Sequence, residues 1–82
     1  MNTPDHWEHR GDVLFRTFRF RDFTEAFAFM TKVAVLADEA DHHPDWSNSW
    51  NVVHISLTTH SANSTVTERD IALAEAINSL FG

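Results

Sequence analysis

Residues 21–44, RDFTEAFAFMTKVAVLADEADHHP, contain the signals that start and stop one long helix. Asp22 and Glu25 have the spacing of a capping box, in which side chains satisfy backbone N–H groups at the helix start. Pro44 disfavours helical geometry at the residue before it, so the helix must end by His43. The pattern predicts a helix from Phe23 to about Ala40.

The apolar residues of this helix cover more of its circumference than one sheet can bury. At about 100° per residue, they fill roughly 200° of the helix, about twice the stripe that packing on a sheet requires. The set is Phe23, Ala26, Phe27, Phe29, Met30, Val33, Ala34, Leu36 and Ala37. We therefore expect one side of the helix to contact another subunit. A helix sunk deep in its own core is the alternative.

Strands are predicted on both sides of the helix. Residues 6–10 and 13–21 form a hairpin around Gly11-Asp12, with Leu14, Phe18 and Phe20 on one face. Residues 50–60 alternate, and their apolar face consists of Val53, Ile55 and Leu57. The segment around Trp46 is a candidate fourth strand.

A second helix closes the chain, and it completes the predicted architecture. Thr67 and Asp70 have capping spacing, and Ile71, Leu73, Ala74, Ile77, Leu80 and Phe81 supply the buried side. Because the connections are short, the strands favour an antiparallel sheet. The sequence predicts an α+β fold, an antiparallel four-stranded sheet with helices packed on one face.

Composition limits the function. With 82 residues, 43% hydrophobic content and no Cys, the chain is one domain without a disulfide or thiolate metal site. Its net charge of −6 would repel nucleic acid and anionic lipid, so neither is an expected partner. No apolar run is longer than that of residues 33–37, which is far shorter than the roughly 18 residues of a membrane span. Because the start is polar, we expect no signal peptide and a cytoplasmic protein.

The histidine content is unusually high, with six histidines in a short chain. His42 and His43 follow Asp41 at the predicted helix end, and His60 follows two threonines at a predicted strand end. Imidazole ionises near neutrality and therefore suits proton transfer or metal binding. Histidines beside a helix C-terminus are also stabilised by the helix dipole alone.

Two rival chemistries are weaker. Adjacent His42 and His43 side chains tend to diverge, and no HExxH or paired Cys motif supports a metal site. No serine has a nucleophile-elbow context. Trp46, beside the histidine pair, could either stack on a flat heterocycle or anchor the core.

Several motifs together resemble the pterin-4a-carbinolamine dehydratase family. They are FRFRDF at 18–23, DHHPDW at 41–46, VHISLTTH at 53–60 and TERDI at 67–71, and the resemblance covers about residues 7–77. The family implies the sheet-and-helix fold above and dimers or tetramers that join sheets and bundle the middle helix. Its enzymes dehydrate 4a-hydroxytetrahydropterin to quinonoid dihydropterin without metal or another cofactor, and so recycle the tetrahydrobiopterin used by aromatic amino acid hydroxylases.

The resemblance also implies the site residues. The catalytic histidines are His42, His43 and His60, and the substrate-binding residues are Asp41, Trp46, Thr58, Thr59 and Ser61. Asp70 matches an acidic position of the family or only caps its helix, and Glu39 either orients a histidine or faces water. Animal members also act as dimerisation cofactors of a homeodomain transcription factor, so a non-enzymatic module acting through the middle helix is the alternative function.

Two departures from the family pattern affect the expectations. Members usually carry a helix before the Trp7 strand, and we expect residues 1–82 to be a single domain that lacks it. The loop after His60 has no glycine, and Asn63 is expected to take the left-handed backbone position there.

Overall fold

The computed structural model describes residues 3–81, so residues 1, 2 and 82 of the expected domain lie outside it. The elements in chain order are β1 (Glu8–Arg10), β2 (Val13–Arg19), α1 (Phe23–Ala40), β3 (Asp45–Ser49), β4 (Val52–Leu57), a 3₁₀ turn (His60–Ala62) and α2 (Glu68–Phe81). The strands form one antiparallel sheet in the order β1-β2-β4-β3. The predicted α+β class is confirmed. Neither helix of residues 3–81 combines the length and apolar character that crossing a membrane requires.

The core lies between one face of the sheet and the two helices. Alternate residues of β2 and β4 point inward, and the predicted apolar set of β4 is fully buried. The sheet contributes Leu14, Phe18, Val53, Ile55 and Leu57, and the helices contribute Ala26, Phe29, Val33, Leu73, Ala74 and Ile77. Each large side chain buried in this way contributes about 1.5–3 kcal/mol, so the layer between sheet and helices holds the fold together.

The ends of α1 follow the sequence signals. Asp22 Oδ1 accepts a hydrogen bond from the Glu25 backbone N–H at 2.9 Å. Glu25 Oε1 accepts from the Arg21 backbone N–H at 3.0 Å, one residue before the expected donor. The helix ends at Ala40, as predicted, and the turn before Pro44 brings the chain back toward the sheet.

The strand predicted over residues 50–60 is too long at both ends, because β4 covers only Val52–Leu57. Trp50 and Asn51 instead form the turn of the β3–β4 hairpin, where Trp50 has a φ of 54°. Side-chain bonds hold this left-handed backbone in place of a glycine. Asn48 Nδ2 donates to the carbonyls of Trp50 and Val52 at 3.2 and 2.9 Å.

The other strand bounds also shift, although the hairpin itself is present. The first strand starts at Glu8 rather than at residue 6, because the Trp7 N–H donates to the Pro4 carbonyl and closes a turn. The second ends at Arg19 rather than at residue 21. The candidate strand around Trp46 is β3. Asn63 has the predicted left-handed conformation, with a φ of 60°.

One side of α1 remains uncovered by the chain's own core. Four apolar residues spaced along this side, Phe23, Phe27, Met30 and Ala34, are here named the α1 flank. Phe23 is 44% and Phe27 54% exposed, whereas Met30 is half-buried. The alternative of a helix sunk deep in its own core therefore does not describe this side of α1.

Candidate active site

The end of α1 separates two adjacent histidines. Asp41 has a left-handed backbone with a φ of 49°, and the His42 N–H donates to the Ala37 carbonyl at 3.0 Å. This is the hydrogen bonding of a Schellman motif, here with Asp41 where glycine is usual. The side chain of His42 is 8% exposed and that of His43 is 59% exposed. The turn thus buries one imidazole and leaves its neighbour in water.

Asp70 holds the buried histidine. Its side chain is fully buried in the first turn of α2, and its Oδ1 lies 2.5 Å from His42 Nε2. Because an ionised carboxylate only accepts hydrogen bonds, the proton of this pair lies on Nε2. That leaves His42 Nδ1 without a hydrogen-bond partner among residues 3–81.

The other carboxylate oxygen of Asp70 is also fully used. Oδ2 accepts from the Thr59 hydroxyl at 2.7 Å and from the Thr67 backbone N–H at 2.8 Å. In turn Thr67 Oγ1 accepts from the Arg69 backbone N–H at 3.3 Å, which completes the cap of α2. Asp70 therefore both caps the helix and fixes His42, so the two roles left open by the sequence coexist.

The other two histidines of the site, His43 and His60, lie near exposed acids. His43 Nε2 lies 3.0 Å from Asp38 Oδ1. His60 begins the 3₁₀ turn after β4 rather than ending a strand, and its Nε2 lies 4.0 Å from Asp45 Oδ2. Glu39, which was expected to orient a histidine or face water, is exposed and forms no ion pair within residues 3–81. Since such exposed pairs contribute only about 0–1 kcal/mol, His43 and His60 are held loosely compared with His42.

All three histidines line one cleft of about 340 Å³, which lies at the lower end of the roughly 300–1,000 Å³ typical of ligand pockets. Seven of the eight residues expected at the site line it, namely Asp41, His42, His43, Thr58, Thr59, His60 and Ser61. Trp46 is the exception. It lies opposite Ile55 on the helix side of the sheet and packs against the core.

The threonines of the cleft have little hydrogen-bonding capacity left for a ligand. The Thr58 hydroxyl donates to the Asp12 carbonyl at 2.8 Å, and that of Thr59 donates to Asp70. Ser61 makes no side-chain hydrogen bond within residues 3–81, and it is exposed at the cleft. Ser61 is therefore the hydroxyl most available to a bound molecule.

Arg69 is a lining residue that the sequence analysis missed. Its Nη2 donates to the Asp41 carbonyl at 2.6 Å, so it ties α2 to the end of α1 and adds a positive charge beside Asp41 and Asp45. The only available signal was its position next to Asp70. Within residues 3–81, no group of three or more His, Asp or Glu side chains is arranged to hold a metal ion.

Comparisons with known proteins place the chain among its relatives. The family model described as Pterin 4 alpha carbinolamine dehydratase matches residues 1–80. A provisionally named pterin-4-alpha-carbinolamine dehydratase of Rhizorhabdus wittichii is 56% identical over 79 residues, which are 94% of this chain and 79% of the relative. A provisionally named dehydratase of Synechococcus sp. is 48% identical over 96% of this chain and 84% of its own.

Two solved structures share the fold. The crystal structure of a transcriptional coactivator/pterin dehydratase from Brucella melitensis has a TM-score of 0.89 at 41% identity, covering 95% of this chain and 84% of that one. A pterin dehydratase-like protein identified as a RuBisCO assembly factor in the alpha-carboxysome has a TM-score of 0.81 at 26% identity, covering 96% and 93%. The match over nearly the whole chain, joined to the histidine cleft, shows that the protein belongs to the pterin-4a-carbinolamine dehydratase family.

Proposed function

We propose that this protein is a cytoplasmic hydro-lyase that converts 4a-hydroxytetrahydropterin to quinonoid dihydropterin and water, in the recycling of tetrahydrobiopterin. One observation carries the proposal. Three imidazoles from two distant parts of the chain line a single cleft, and the most buried of them is fixed by Asp70. Family membership supplies the substrate class.

The reaction needs one acid and one base. The C4a–O bond breaks as a proton reaches the departing hydroxyl, the proton on N5 is removed, and the C4a=N5 double bond forms. A positioned acid or base typically accelerates such a step by about 10²–10⁴-fold, or about 3–5 kcal/mol each. No electrons are exchanged, so the balance requires neither a resident cofactor nor a metal.

The geometry suggests how the roles divide. We assign His42 as the base, because Asp70 holds the proton on Nε2 and leaves Nδ1 as an acceptor. His43 and His60 supply the acid and the third contact to the pterin. Asp41 and Ser61 are the candidate polar contacts to the ring, whereas Thr58 and Thr59 form the wall of the cleft. Because Trp46 packs against the core, we assign it to support β3 rather than to stack on substrate.

A direct rate measurement tests this function. Freshly generated 4a-carbinolamine is mixed with purified protein, and the absorbance of the quinonoid product is followed. We expect the protein to accelerate product formation over buffer alone, with no loss of rate after EDTA treatment. As a matched control, His9→Ala removes an exposed imidazole outside the cleft and should retain the full rate. A rate equal to that in buffer would exclude the enzyme.

A binding role through α1 is the second candidate, and the α1 flank favours it. Phe23 and Phe27 are large, apolar and about half exposed. The descriptions of two neighbours in structure include a non-enzymatic role, one as a transcriptional coactivator as well as a pterin dehydratase and one as a RuBisCO assembly factor. We propose that the α1 flank mediates self-association into a homodimer or homotetramer, and that it is the surface by which a co-regulator module would act. Because the chain carries a net charge of −6, direct contact with nucleic acid is not part of this role.

Phe27→Glu should shift the protein toward the monomer in sedimentation velocity at micromolar concentration, because association would bury a charge in an apolar contact. Val35→Glu is the matched control, since Val35 is 53% exposed but lies on the polar side of α1. The control should sediment as the unchanged protein does. If the unchanged protein is already a monomer, self-association through the α1 flank is excluded.

A further inference from the structure

Arg16 places a positive charge on the core side of the sheet. It lies on β2 between Leu14 and Phe18, both 1% exposed, and its partner on β4 is Ile55. The guanidinium Cζ lies 4.4 Å from the ring centroid of Phe18 and 5.1 Å from that of Phe81. Two aromatic rings therefore fix the position of the guanidinium.

This charge has no acidic partner. Among residues 3–81 Arg16 forms no ion pair, although the chain has twice as many acidic as basic residues. Its one side-chain hydrogen bond runs from Nη1 to Asn78 Oδ1 at 2.5 Å. Partial burial lowers the pKa of Arg16 from its ordinary value, because desolvation disfavours the charged form. Most of the five N–H donors of the guanidinium remain available to an anion.

The guanidinium faces a cleft that is separate from the histidine site. This second cleft has a volume of about 320 Å³ and is lined by Asp5, His6, Arg16, Asn78 and Phe81. It shares no residue with the histidine cleft. The lining pairs the basic Arg16 with the acidic Asp5, so two of its side chains carry charges of opposite sign. Phe81, 41% exposed, supplies an apolar wall.

We propose that this cleft binds the zwitterionic head of a free amino acid with an apolar side chain. Arg16 receives the carboxylate, because a guanidinium can donate two parallel hydrogen bonds to it. Asp5 receives the ammonium group, and the side chain lies against Phe81. A simple anion would gain from Arg16 but would be repelled by Asp5, so the pair of charges selects a zwitterion.

The indole group of Trp7 offers a local reporter of binding. Trp7 Nε1 donates at 2.8 Å to Asn78 Oδ1, the same oxygen that Arg16 contacts. In a ¹⁵N-labelled protein, titration with L-leucine should shift the Trp7 indole signal in a saturable way. The indole signals of Trp46 and Trp50, which lie outside this cleft, serve as internal controls.

Two analogues of leucine, each lacking one of its charged groups, test the two contacts separately on the unchanged protein. 4-Methylpentanoate lacks the ammonium group of leucine, and 3-methylbutylamine lacks its carboxylate. Each should bind about tenfold more weakly than L-leucine, because each loses one charge-assisted contact. No saturable shift up to the solubility of leucine would overturn the proposal. Equal affinity for leucine and either analogue would do so as well.

Variants then assign the contacts. Arg16→Gln should abolish the L-leucine shift, and Asp5→Asn should lower the affinity to that of 4-methylpentanoate. Arg10→Gln is the matched control, because Arg10 is an exposed arginine paired with Glu8 and lies outside the cleft. Retained leucine binding in a folded Arg16→Gln protein would refute the assignment. If that variant does not fold, the comparison of leucine with its two analogues on the unchanged protein still tests whether the cleft binds a zwitterion.

Discussion

His42→Ala should reduce the acceleration of carbinolamine dehydration by about 10²–10⁴-fold, the typical contribution of a positioned general acid or base. His42 is the imidazole whose orientation is fixed, since its Nε2 is bound to the buried Asp70. His43 and His60 lie at the exposed rim of the cleft, where water can partly replace them. Alanine at either position should therefore reduce the rate less than His42→Ala does. Initial rates of quinonoid formation provide the measurement.

Chemical rescue separates catalysis from folding in the His42→Ala protein. The substitution leaves a small cavity beside Asp70, and free imidazole added to the assay should enter it and restore part of the rate. Thermal unfolding followed by circular dichroism establishes that the variant is folded. A folded variant that stays within about threefold of the unchanged rate would show that His42 is not the base.

Asp70→Asn should lower kcat by up to about 10⁴-fold with little change in KM, as for Asp→Asn in a serine protease triad. An asparagine oxygen can still accept from Thr59 and the Thr67 N–H, but its amide then donates toward His42. The His42 proton must move from Nε2 to Nδ1, so the ring loses the acceptor assigned to the reaction. The ¹⁵N chemical shifts of the His42 ring should report this change of tautomer.

Stability distinguishes Asp70→Asn from Asp70→Ala. Alanine would leave His42, Thr59 and the Thr67 N–H without their acceptor, and loss of one partner of a buried pair typically costs about 3–5 kcal/mol. Asp70→Asn should lower the free energy of unfolding much less, because most of the hydrogen bonds made by the Asp70 side chain are retained. Glu68→Gln removes a charge from the same helical turn but outside the cleft, and both rate and stability should be retained. An unchanged His42 tautomer in Asp70→Asn would contradict this account.

Local signals explain why much of the fold could be predicted. Asp22, Glu25 and Pro44 act on residues a few positions away, so they define α1 almost without error. The alternation of Val53, Ile55 and Leu57 reflects the two faces of a strand, and all three are buried. Seven of the residues predicted for the site line one cleft, and a family motif specified them together.

Long-range contacts explain the remainder. The bond between His42 and Asp70 joins residues 28 positions apart, and no periodicity in the sequence shows that the capping acid of α2 also reaches a histidine. The Trp50 turn has no glycine to mark it and depends on side-chain bonds from Asn48. Trp46 gave an ambiguous signal, because tryptophan serves equally as a core anchor and as a stacking platform. The register of β3 on β4 sets Trp46 opposite Ile55, on the core-facing side of the sheet, where it is half-buried.

The 18 residues of α1 also set the distance and the rotation between its two ends. Each residue added to or removed from a helix turns everything beyond it by about 100° and moves it by about 1.5 Å along the axis. A single insertion between Asp22 and Asp41 would therefore swing His42 away from Asp70 while leaving both caps chemically intact. The geometry of the site therefore depends on the length of α1, whereas extra residues in the turn at Trp50 would not rotate His42 relative to Asp70.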